Sequence, residues 1–151
     1  MAETVASLPE ALFQKLQRET FALLHTIDSD TGSPTSNAIS WIFAVDPGRL
    51  RFAVDSRSKL VGNLKARAEA SVTLFEGGSV HVVYGRAVVR TERMEGVPFP
   101  LACVDLEVRD VREAMFYGAR LTALPEYKKI YDQRAADRLD GQVFAALQKA
   151  Q

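Results

Sequence analysis

Cysteine is almost missing from this chain: Cys103 is the only one in 151 residues. An intrachain disulfide and a cysteine-based zinc site are therefore both excluded. Histidine is nearly as scarce, with His25 and His81 alone, so one chain cannot assemble a multi-histidine metal site. There is no excess charge of either sign either; 19 basic and 19 acidic residues cancel. A protein without a broad positive field has no general hold on a polyanion, so nucleic acid is not an expected partner. No apolar run approaches the ~20 residues that would span a bilayer, and Met1 to Glu10 lacks the basic start and apolar stretch of a signal peptide. The expectation is a cytoplasmic protein with no membrane partner. Also absent are Gly-x-Gly-x-x-Gly, a Gly-Lys-Ser/Thr phosphate loop, Gly-x-Ser-x-Gly and His-Glu-x-x-His. Redox chemistry here would need a cofactor to carry it.

What is present is ordinary globular composition, 47% apolar and 25% charged, enough for one domain over residues 1–151 with a real core. Leu8, Leu12, Phe13 and Leu16 recur at helical spacing and predict a helix over about 8–18. Phe21 to Ile27 reads as a strand, ended by the turn residues Asp28-Ser-Asp-Thr-Gly-Ser-Pro. Asn37 to Val45 alternates as one second strand with both faces largely apolar, and Leu50, Phe52 and Val54 alternate in a third. Ser56 to Ala68 switches to helical spacing, with Ser56 or Ser58 as N-cap. Strands over 71–75 and 80–89 flank Glu76-Gly-Gly, and Gly85 allows something to approach the backbone closely. A last strand carries Val104, Leu106 and Val108 on one face until its register slips near Arg109 and Asp110, the sign of a bulge. After Pro125 a helical stripe runs to about residue 148, as one helix or as two joined near Gly141.

Six strands joined by short turns, with one small helix after the third, predict a mostly β domain of α+β type: an antiparallel barrel over about 20–113 with flanking helices. A doubly wound sheet would need a crossover helix after each strand.

The candidate site is the passage from strand to helix, Phe52-Ala-Val-Asp-Ser-Arg-Ser-Lys-Leu. Backbone N–H groups at a helix start carry partial positive charge, and Arg57, Ser58 and Lys59 add donors beside them, which makes a phosphate cup. The plainer alternative leaves Ser56 or Ser58 as a simple N-cap and Arg57 and Lys59 solvated. Trp41, among Ile39, Phe43 and Val45, is read as core or interface packing before a ligand-stacking ring. Met115-Phe-Tyr-Gly is read as a seam between the last strand and the C-terminal helix before a ligand-facing wall, Cys103 as a buried inert thiol, and His81 as a partly exposed sheet residue.

Three stretches, Asn37-Ala-Ile-Ser-Trp-Ile-Phe-Ala-Val-Asp, Arg51-Phe-Ala-Val-Asp-Ser-Arg-Ser-Lys with Asn63-Leu behind it, and Val111-Arg-Glu-Ala-Met-Phe-Tyr-Gly-Ala-Arg, resemble the pyridoxamine 5'-phosphate oxidase-like FMN-binding split barrels. The resemblance covers about residues 8–147 and is nearest to short bacterial members of undefined activity. It implies a six-stranded split barrel, a homodimer and FMN held in a groove to which both chains contribute. It further implies that Ala53, Val54 and Asp55 lie along the flavin ring and that Arg57, Ser58 and Lys59 hold its phosphate. On the second strand, where the family commonly carries an arginine, this sequence offers Asn37 and Ser40. The function so implied is FMN binding, with flavin-dependent oxidation or reduction of an unidentified small molecule if the protein is an enzyme. A non-enzymatic ligand-binding or stress-related dimer, and a split barrel holding heme or deazaflavin, stand as alternatives.

Overall fold

The computed structural model describes residues 4–150. Along them run β1 (Thr4–Val5), α1 (Glu10–Lys15), β2 (Ala22–Ile27), β3 (Pro34–Ile39), β4 (Ile42–Asp46), β5 (Arg49–Asp55), α2 (Lys59–Ala66), β6 (Glu69–Glu76), β7 (Ser79–Thr91), β8 (Leu101–Glu113) and α3 (Gln133–Lys149). The strands form one antiparallel sheet in the order β3-β2-β6-β7-β8-β5-β4, with β1 added beside β8. Its inner face closes over Leu24, Phe52, Val72, Leu74 and Leu106, and Leu12 and Leu16 from the α1 region join the same cluster.

The fold class is the expected one, mostly antiparallel β with flanking helices, but the strand count is eight and not six. One addition is β1. The other comes from the segment 37–45, which is two strands. Ile39 sits opposite Ala22 of β2, whereas Ile42 sits opposite Phe52 of β5, so β3 and β4 stand at the two ends of the sheet path. Between them Ser40 and Trp41 are the split. Side-chain alternation runs through this point without a signal, but the faces exchange: Ile39 packs on the barrel interior, while Trp41 and Phe43 pack on the outer layer beneath α3.

That outer layer is a second apolar cluster. Ala53, Leu101 and Cys103 of β5 and β8 meet Val143, Ala146 and Leu147 of α3. The C-terminal helix is shorter than the expected 125–148 and is a single element through Gly141. It starts where Asp132 supplies the cap, its carboxylate accepting the Ala135 N–H at 2.9 Å. The N-terminal helix is likewise shorter than 8–18, confined to Glu10–Lys15. Among the described residues no helix is long and apolar enough to cross a membrane.

The bulge lies where the sequence puts it. Tyr84 pairs with Asp110 and Gly85 with Val108, which leaves Arg109 as the extra residue. The seam expected at Met115-Phe-Tyr is not there. Phe116 is 71% and Tyr117 96% exposed, because β8 ends at Glu113 and the chain then runs across the surface without regular structure until α3.

Candidate functional site

β5 delivers the site. Its last residues, Ala53, Val54 and Asp55, stay paired with Cys103, Ala102 and Leu101 of β8 but run past the last β4 pair, Ile42 with Phe52, and a tight turn then leads into α2. The Ser58 N–H donates to the Asp55 carbonyl at 2.9 Å, and the Arg57 N–H donates to the Asp55 carboxylate at 2.8 Å. Asn63 fixes the helix from behind. Buried at 2% exposure, it accepts the Ser29 N–H at 2.9 Å and donates to Thr26 Oγ1 at 3.1 Å, which ties α2 to β2 and the β2–β3 turn.

A cleft of about 370 Å³ opens between this turn and the split. Asn37, Ser40, Ala53, Val54, Asp55 and Ser58, six of the eight residues singled out from the sequence, line it together. Ala38, Ile39, Trp41 and Leu60 line it as well and, with Ala53 and Val54, give it its apolar side. Trp41, read from the sequence as packing before a ligand-stacking ring, borders the cleft, and Leu60, which the sequence shows only as one position of a helical apolar stripe, does so too.

Ser58 bears on both readings of the turn. It occupies the N-cap position of α2 but its side chain makes no capping bond. Its hydroxyl is buried and has no hydrogen-bond partner. A buried hydroxyl without a partner costs about 1–3 kcal/mol, and the first N–H groups of a helix have no intrahelical acceptor. Donors converging at a positive helix end, one of them already desolvated, fit a phosphomonoester such as that of FMN.

Arg57 and Lys59 do not line the cleft. Arg57 forks onto Asp55, at 3.0 Å from Nε and 2.8 Å from Nη2, and this hydrogen bonding draws the Asp55 carboxyl down to a pKa of about 2. Lys59 bridges Asp30 and Asp28 of the β2–β3 turn at 2.9 Å each. Its pKa rises accordingly, and the Lys59 hydrogen bond holds Asp28 well below the usual carboxylate range. Arg57, Asp55, Lys59 and Asp30 are exposed, so solvent screens their pairing, whereas Asp28 is largely covered.

Elsewhere the structure holds Cys103 fully buried, and desolvation pushes its thiol up to about 11, the inert state the sequence implies. Half-buried His81 meets the Glu76 carbonyl at 3.2 Å and stays outside the cleft.

Residues 8–102, more than half of the chain, match the family model described as pyridoxamine 5'-phosphate oxidase. The chain belongs to the pyridoxamine 5'-phosphate oxidase family. The matched stretch contains the whole cleft, from Asn37 to Leu60. Solved structures share the fold of this oxidase-family chain. A Lactobacillus delbrueckii protein named after pyridoxamine 5'-phosphate oxidase is 18% identical, with a TM-score of 0.58 over 71% of this chain and 98% of its own. HupZ of Group A Streptococcus is 12% identical, with a TM-score of 0.58 over 75% of this chain and 98% of its own. An F420 reductase is 17% identical, with a TM-score of 0.58 over 69% of this chain and 98% of its own. No curated protein matches the chain.

Proposed function

We propose that this pyridoxamine 5'-phosphate oxidase-family member binds FMN in the cleft at the β3–β4 split, as a homodimer, and acts on an unidentified small molecule through the flavin. The observation that carries this reading is the unpartnered Ser58 hydroxyl at the start of α2. In it, Ser58 and the first-turn N–H groups hold the phosphate, with Arg57 and Lys59 swinging in from their acidic partners. Ala53, Val54 and Asp55 flank the ring, and Asn37 and Ser40 offer neutral polar contacts opposite. Bound there, the flavin would supply hydride transfer, for which the chain's own histidines lie outside the cleft. Pairing is supported by surface chemistry: among the described residues the exposed large hydrophobics, from Phe116 to Tyr131, fall within one segment.

Titration of the protein with FMN and with riboflavin tests the site. Ser58→Ala should weaken FMN about tenfold or more and leave riboflavin unchanged, since only FMN carries the phosphate. Protein that retains no FMN after incubation and desalting would overturn the assignment.

A second reading has support of its own. The solved structures that share the fold include an F420 reductase, which supports a deazaflavin in the same cleft. The absorption spectrum of protein purified from its native host separates the two.

A further inference from the structure

Trp41 is the chain's only tryptophan, and it is clamped on several sides. Its carbonyl accepts the Ala53 N–H at 3.0 Å, which fixes the backbone beside the ring-flanking end of β5. Its indole N–H donates to Asp140 Oδ1 of α3 at 2.9 Å. Phe99 supports one flank, with the ring centroids 6.3 Å apart and the planes tilted by 41°. Asp140 is itself held: its other oxygen takes the Lys129 ammonium, which also reaches Glu19 Oε1 at 3.2 Å.

This chain of contacts does more than satisfy an indole. The cleft is amphiphilic, with Asp55 and Ser58 at one end and Ile39, Trp41, Ala53 and Leu60 supplying apolar surface. An aromatic wall already immobilised loses no rotamer freedom when a flat ligand arrives, and offset or edge-on ring contacts add attraction beyond simple burial. A side chain needed only for packing on α3 would not have to border the cleft, yet Trp41 lies in both places.

We propose that Trp41 is the specificity-determining wall for a planar ring in this cleft and that Asp140, through the indole N–H, is its positioning residue. The inference rests on the flavin reading above and adds to it which residues select the ring as distinct from the phosphate.

Affinities for FMN and riboflavin, read from flavin fluorescence in the full chain, test it. Trp41→Leu should weaken both flavins by the same factor, about tenfold, while Trp41→Phe keeps an aromatic face and loses less. Asp140→Ala should weaken both flavins several-fold, and Asp140→Asn should restore most of the loss, because its amide oxygen still accepts the indole N–H. A purely structural role would lower the melting temperature of these variants without changing flavin affinity. Folded Trp41→Leu and Asp140→Ala proteins that bind both flavins like wild type, or that lose FMN alone, overturn the inference and leave the phosphate cup standing. Wild-type protein that binds neither flavin overturns the underlying reading, and this inference with it.

Discussion

Arg51 of β5 and Asp105 of β8 face each other across the sheet as a buried ion pair, 4% and 1% exposed. Nε donates to Oδ1 at 2.6 Å and Nη2 to Oδ2 at 3.2 Å, while Nη1 turns away to the Leu147 and Ala150 carbonyls at 3.0 and 2.6 Å. One guanidinium thus satisfies a strand carboxylate and the carbonyl-rich end of α3 together. Removing it strands a buried charge, although Arg90 and Arg49 remain 3.5 and 3.9 Å from Asp105. Arg51→Met should therefore cost about 3 kcal/mol in urea unfolding, and the double change Arg51→Met with Asp105→Leu should recover most of it.

Gly85 tests the bulge. A Cβ there would lie 2.2 Å from the Glu107 carbonyl oxygen, a backbone atom with no freedom to retreat. Gly85→Ala should destabilise by at least about 1–3 kcal/mol in the same assay, through overpacking and not through backbone entropy.

His25 should make stability depend on pH. Its ring nitrogens meet Ser36 Oγ at 2.9 Å and Thr73 Oγ1 at 2.8 Å, and burial lowers its pKa below the ordinary value near 6.5. The unfolded chain then takes up a proton before the folded one does. Its contribution is complete above 6.5 and is lost as the pH falls through the lowered folded value. His25→Gln should flatten thermal stability against pH in that window; an unchanged slope would remove the assignment.

Asn63 should couple stability to ligand binding. Asn63→Ala unpairs the Ser29 N–H and removes one of the two hydrogen bonds at Thr26 Oγ1, which still meets Thr35 Oγ1 at 2.7 Å, and this predicts a loss of about 1–2 kcal/mol and faster amide exchange in residues 28–33. Flavin affinity should fall with it, because α2 loses its anchor to β2.

Ser58 should show a trade between stability and binding. In ligand-free protein Ser58→Ala removes a buried hydroxyl without a partner, so stability should hold or rise by about 1 kcal/mol while FMN affinity falls. Thermal melts with and without FMN measure both effects.

Much of this fold is written locally. Leu50-Arg-Phe-Ala-Val alternates with the period of a strand, Glu76-Gly-Gly can only turn, and the slipped alternation near Arg109 reports the bulge because side-chain direction is fixed by backbone geometry alone. The same holds for the candidate cleft, whose strand-to-helix passage from Ala53 to Ser58 is visible as a change of period. Asn37 and Ser40, by contrast, are singled out by the family resemblance, and only the folded sheet brings them beside that passage.

Tertiary structure decided the rest, and the reason is choice of partner. Nothing in the run from Asn37 to Val45 says that Ile39 pairs with β2 and Ile42 with β5, since either half alternates equally well alone. Lys59 shows no local sign that Asp28 and Asp30 claim it, and Trp41 none that an aspartate 99 residues away fixes its indole. Arg51 reads as the polar side of a strand until α3 covers it. Period and turn chemistry act over a few residues, whereas burial and pairing are set by whatever surface the folded chain brings alongside.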